Sequence, residues 1–92
     1  MDGWQPISNL KDPKVVEIAE FAVKQHNMKI NDMLRLVSVI KGESQIVNGV
    51  NYKLVISAAE VLTKMTESNY RVVVWDKPWT KERNLTSFEK IA

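Results

Sequence analysis

The chain has 92 residues, enough for one domain spanning residues 1–92. Its apolar share of 45% and charged share of 26% exclude wholesale disorder. Thirteen Lys and Arg against 11 acids leave a formal charge of +2, too small an excess to mark a nucleic-acid or anionic-membrane partner.

Residues 1–11 read as an extended or irregular arm, anchored by Trp4, Pro6 and Ile7; Pro6 biases Gln5 toward extended backbone. Asp12-Pro13 is a helix start, because the carboxylate can cap orphan amides and proline suits the first helical position. From there Val15, Val16, Ile18, Ala19, Ala22, Val23, His26 and Ile30 fall on one face, with Phe21 at its margin. Lys14, Glu17, Glu20, Lys24 and Asn27 fall on the other. The spacing predicts an amphipathic helix from about residue 13 to about residue 29. Beyond Asn31 the periodicity changes. Four runs rich in β-branched and aromatic residues follow, at 34–40, 50–57, 70–75 and, more weakly, 85–91. Turn chemistry stands between or beside them at Lys41-Gly42, Asn48-Gly49, Ser68-Asn69 and Lys77-Pro78. Residues 58–66 are ambiguous, with helical propensity but a position between strands. One helix followed by several strands on short connections argues an α+β fold, the helix packed on an antiparallel sheet.

The chemical inventory argues against an enzyme. No cysteine is present, which removes disulfides, thiolate metal sites and a catalytic thiol and leaves the compartment open. His26 is the single histidine. No Ser occupies a nucleophile elbow, no metal spacing is present, and no Lys-Ser/Thr pair follows the glycines as in a phosphate loop. Glu17 and Glu20 read as a solvated helical face with Lys14 and Lys24 beside them, rather than as an acid–base pair. No stretch approaches the roughly 18 apolar residues that span a bilayer, and no signal-peptide pattern follows Met1. No cofactor, metal, nucleic acid or membrane is expected. Asn84-Leu85-Thr86 is a glycosylation sequon at the start of a strand and is read as unused.

Two connections carry the functional signal. In Gln45-Ile46-Val47-Asn48-Gly49 an Asn-Gly turn is preceded by two apolar β-branched residues, where a hairpin tip is normally polar. In Asp76-Lys77-Pro78-Trp79-Thr80 a proline stiffens a turn that carries a large aromatic group. Apolar groups on two tips suggest a contact surface. These stretches resemble the Q-x-V-x-G loop and the Pro-Trp loop of cystatins. Residues 18–27 (Ile-Ala-Glu-Phe-Ala-Val-Lys-Gln-His-Asn) resemble the helix signature of the plant branch, the phytocystatins, and Gly3-Trp4 resembles the end of their N-terminal glycine segment. The four matches lie in order and cover nearly the whole chain.

The resemblance implies one long helix across a curved four- to five-stranded antiparallel sheet. It implies a reversible, tight-binding inhibitor of papain-like cysteine proteases, with plant defence among its roles. The protease-binding residues it implies are Gly3 in the arm, Gln45, Ile46, Val47, Asn48 and Gly49 in the first loop, and Pro78 and Trp79 in the second. Together they form a wedge that occludes the cleft without chemistry. The family usually shows a glycine pair in the arm, and here Asp2 precedes Gly3. A carboxylate beside an apolar subsite is costly to desolvate, so the arm is expected to contribute less than the loops. The C-terminal extension with which some plant members inhibit legumain-type proteases is not part of this sequence, and that activity is not expected. The rival reading is a non-inhibitory interaction domain on the same fold, which has no reason to keep both apolar tips. His26 is expected to be structural, Trp4 to anchor the arm, and Trp75 to cover the sheet. The monomer is the expected active form. Strain at Val47 makes the first hairpin a hinge for a domain-swapped dimer, a known habit of cystatins, and such a dimer is expected to inhibit poorly.

Overall fold

The computed structural model describes residues 3–63 and 66–92. Asp12 accepts the Lys14 amide at 2.9 Å, and Pro13 takes the first helical position, where a missing N–H is no loss. Helix α1 spans Pro13–Ile30. It stops where Asn31 turns left-handed (φ 56°) and donates its amide to the Asn27 carbonyl. Val15, Ile18, Ala19, Ala22 and Val23 are buried, as the periodicity requires. Ile30 departs from the expected stripe: the last turn, from Met28 onward, is exposed, and Ile30 is 61% accessible.

Five strands form one sheet in the order β1-β2-β3-β4-β5, every neighbouring pair antiparallel. They are β1 (Gln5–Pro6), β2 (Leu34–Ile46), β3 (Val50–Glu60), β4 (Glu67–Lys77) and β5 (Glu82–Lys90). The arm thus contributes a short edge strand of its own. Helix α1 lies across one face. Leu54, Ile56, Val72 and Val74 meet its apolar stripe, with Phe21, Tyr52 and Phe88 packed around them. His26 stacks on Phe88 with 3.9 Å between ring centroids, and its Nε2 lies 3.1 Å from the Asp32 carboxylate. That is the structural position expected of it.

Two expected turns are strand instead. Gly42 lies inside β2, opposite Leu54, just past a register shift between Val39 and Lys41. A Cβ there would sit 3.0 Å from Ile7 Cδ1 and from Leu54 Cδ2. The glycine therefore makes room for the arm to cross the sheet rather than bending the chain. Ser68 and Asn69 pair with Ala58 and Ser57 inside β4. The Asn69 amide also donates to the Ala92 carbonyl at 2.8 Å. In the ambiguous stretch, residues 58–60 complete β3 with Ala58 and Ala59 buried, so sheet pairing overrides helical propensity. A turn follows at 61–63; Lys64 and Met65, also in that stretch, lie outside the described residues. Asn27, assigned by periodicity to the solvent side, uses its amide as a strand partner. Its Nδ2 donates to the Leu34 carbonyl at 2.9 Å, and its Oδ1 accepts the Leu34 amide at 3.0 Å.

Candidate functional site

Strand register decides which connections share an end of the molecule. Ile46 pairs with Val50, Val50 pairs with Asp76, and Lys77 pairs with Glu82. The β2–β3 turn and the β4–β5 turn therefore project from the same end. Gln5 pairs with Ser44, which brings the arm to that end as well. Trp4 is half-buried, with the Lys53 ammonium 4.4 Å from its ring centroid, so it anchors the arm on the sheet. Gly3 stands in the open, with nothing within 4 Å of a Cβ built on it. Met1 and Asp2 lie outside the described residues.

The first tip turns on Asn48 (φ 48°) and Gly49 (φ 124°), and the Val47 amide donates to the Gly49 carbonyl at 3.0 Å. The strain expected at Val47 is not found there: the positive φ angles fall on Asn48 and Gly49, which tolerate them. Gly49 is required twice over. Its φ disfavours a side chain, and a Cβ would lie 2.7 Å from the Asp76 carbonyl oxygen. Gln45 pairs with Asn51 at the base of the loop. Beyond it Ile46 is 80% exposed and Val47 45%.

The second tip is a single 3₁₀ turn, Pro78–Thr80, closed by a left-handed Lys81 whose amide donates to the Pro78 carbonyl at 3.1 Å. The Thr80 hydroxyl lies 2.7 Å from the Glu82 carboxylate. Trp79 stands 64% exposed at this tip. The Lys77 ammonium lies 5.8 Å from the ring centroids of both Trp75 and Trp79. Trp79 on one tip and Ile46 and Val47 on the other thus expose apolar side chains at the same end of the sheet.

Beneath the tips sits an ionic cluster that the sequence reading passed over. Asp76 is buried, and Arg83 Nε donates to its Oδ1 at 2.8 Å. Lys14 Nζ lies 3.3 Å from Asp76 Oδ2, and Arg83 reaches Glu17 at 2.8 Å. Burial acts to raise the Asp76 carboxyl, but hydrogen bonds from Arg83 and Lys14 outweigh it and hold the pKa below its ordinary value. The hydrogen bond to Asp76 in turn raises the Arg83 pKa against the effect of burial. The cluster ties the root of the second tip to the first turns of α1. Strand alternation carried the signal for it: Val72, Val74 and Asp76 share the core face, and a carboxylate there needs a partner. Trp75 does more than the sheet-covering its position suggests. Its indole Nε1 donates to the Val47 carbonyl at 3.1 Å, so it touches the first tip as well as covering the sheet.

Residues 7–91 match a family model described as aspartic acid proteinase inhibitor. Over 87 residues the chain is 51% identical to cysteine proteinase inhibitor 5 of Arabidopsis thaliana, a match covering 95% of this chain and 70% of that one. The chain belongs to the phytocystatin family. Cysteine proteinase inhibitor 1 of Actinidia chinensis var. chinensis is 49% identical over 89 residues, covering 97% of this phytocystatin and 74% of its relative. The fold is shared with the salivary cystatin of the soft tick Ornithodoros moubata, at a TM-score of 0.86 over 100% of this chain and 99% of that one. At 22% identity that likeness bears on the fold alone. The expected architecture, one helix across a curved antiparallel sheet, is therefore a cystatin fold with five strands.

Proposed function

We propose that this phytocystatin is a reversible, tight-binding inhibitor of papain-like cysteine endopeptidases and not an enzyme. The binding edge is the wedge of Gly3, Gln45, Ile46, Val47, Asn48, Gly49, Pro78 and Trp79. One observation carries the reading: the register brings two turns with exposed apolar side chains, and the arm at Gln5, to the same end. Three projections of that kind suit a cleft, and a standard protease–inhibitor contact of about 800 Å² per partner is within reach of a small domain. Val47 brings apolar surface with little rotamer freedom to lose, and Trp79 is the rigid aromatic type that dominates interface energetics. Occlusion needs no bond-making on the inhibitor's side. The monomer is the active form. Opening the hairpin at residues 47–49 to exchange halves would extend the first loop and remove it from the wedge.

The test is titration of papain at fixed substrate with the parent protein and with Trp79→Ala, and titration of pepsin in parallel. The expected result is loss of papain activity saturating near one inhibitor per enzyme, weaker in the variant, with pepsin unaffected. Inhibition of pepsin alone would move the reading to the enzyme class named by the family model. No inhibition of either would favour the non-inhibitory interaction domain.

A further inference from the structure

We propose that Trp75 is a positioning residue for inhibition: its indole N–H tethers the Val47 carbonyl, and through Lys77 its ring is joined to Trp79, so the two tips meet a protease as one preset edge. The proposal rests on the inhibitory reading above and adds a residue outside the wedge to it.

The geometry is specific. Trp75 belongs to β4, where it pairs with Asn51 of β3 and Asn84 of β5. Val47 belongs to the turn that leaves β2. The indole therefore reaches across the start of β3 to bond a residue 28 positions away in sequence, at 3.1 Å. Gly49 makes that approach possible, because a Cβ at 49 would stand 3.2 Å from the same indole nitrogen. The absent side chain thus clears both the β4 backbone and the tether. Trp75 also shares the Lys77 ammonium with Trp79, at 5.8 Å from each ring centroid, within the range of cation–π attraction. A continuous chain of contacts results: Val47 carbonyl, Trp75 indole, Lys77 ammonium, Trp79 indole.

The reason to build such a chain is entropic. A three-residue turn that carries an apolar side chain into solvent has to be ordered when it enters a cleft. Each mobile side chain or loop segment fixed at that moment weakens binding. A turn already held by a bond from another strand carries much less of that penalty. Sheet-covering alone asks only for a large ring at position 75. Phenylalanine supplies a ring without the donor, which separates the two roles.

The experiment uses Trp75→Phe in the full chain. Backbone order parameters of Asn48 and Gly49 are measured by ¹⁵N relaxation in the free protein. Papain association and dissociation rates and the thermal midpoint are measured beside them. The expected result is a fall in order parameter from about 0.85 to below about 0.6 at the first tip. Dissociation is expected to be about tenfold faster with association nearly unchanged. The thermal midpoint is expected to move by less than about 4 °C. Lys77→Met tests the joint separately, because phenylalanine at 75 keeps a ring face for the ammonium: dissociation is expected to be about threefold faster, and an unchanged rate would overturn the joint. Unchanged order parameters and unchanged dissociation would overturn the tether. A large drop in thermal midpoint that accounts for the weaker inhibition would reduce Trp75 to sheet-covering. If the parent itself fails to inhibit papain, the inhibitory reading falls, and the relaxation measurement still decides whether the indole holds the turn.

Discussion

Both ends of the sheet expose apolar side chains, and they are built differently. At one end stand Ile46, Val47 and Trp79; at the other stand Met28, Ile30, Met33 and Leu62, which is 76% exposed. At the helix C-terminal end a backbone bond joins two connections, the Val61 amide donating to the Met33 carbonyl at 3.0 Å, while the side-chain bonds of the α1–β2 connection are local. Asn27 bonds Leu34 across the α1–β2 connection, and Asp32 accepts the Met33 amide at 2.8 Å. At the tip end it is side chains that link elements distant in sequence. The Trp75–Val47 bond links the second hairpin to the first, and the Asp76 cluster links the second hairpin to the helix. Exposed apolar area is common on folded proteins and does not by itself mark a contact surface. What sets the tips apart is that a side-chain hydrogen bond and a buried carboxylate hold them, groups that single substitutions remove without touching strand pairing.

That contrast can be broken at several depths. The largest expected effect is on the brace beneath the tips. Asp76→Ala leaves the Arg83 guanidinium without its buried partner and is expected to lower unfolding free energy by about 3 kcal/mol, read from urea denaturation. Gly49→Ala follows. The added Cβ collides with the Asp76 carbonyl and the backbone sits at a φ that alanine avoids, so papain inhibition is expected to weaken about 100-fold or more. Trp79→Ala removes an exposed side chain and is expected to cost about 2 kcal/mol of binding, tens-fold in Kd, with the thermal midpoint nearly unchanged.

A pH series sharpens the same comparison. The Asp76 pKa is lowered in the folded state, so the unfolded chain takes up its proton first as pH falls. The stability Asp76 contributes is fully present above the ordinary carboxylate pKa, near 3.9, and is lost as pH falls through the lowered folded value. The gap in unfolding free energy between parent and Asp76→Asn is therefore expected to hold steady from neutral pH down to about pH 5 and to narrow below about pH 4. The smallest effect belongs to the other end. Leu62→Ser is expected to change both stability and papain inhibition by less than about 0.5 kcal/mol, which the same assays check. A loss of inhibition as large as that of Trp79→Ala would mean that the wrong end has been assigned.

The sequence made the helix, its Asp12-Pro13 start and the four main strands legible, because each rests on local rules of periodicity and capping. The two tips were legible because apolar residues broke the usual polarity of turns. The misread positions share one cause. Gly42 looks like a turn glycine, yet its job is set by Ile7 and Leu10, more than 30 residues upstream. Ser68 and Asn69 look like a turn, yet β3 and the chain end hold them straight. Asn27 is polar and follows the polar face, yet it serves the first residue of β2. Trp75 and Asp76 take their roles from register, which places a strand end beside a distant turn. Local pattern names an element; only pairing says what its residues face.

The crossing of the arm over Gly42 has an evolutionary consequence. Ile7 is fastened there, its amide donating to the Gly42 carbonyl at 2.9 Å and its side chain lying against the glycine. Gly3 lies on the other side of that fastening, in open space. Gly49 answers to the tightness of its turn and to the strand packed against it, so drift there is punished by misfolding. Change at Gly3 meets no such check. Substitution at Gly3 is therefore a change the fold can absorb, whereas substitution at Gly49 is one it cannot.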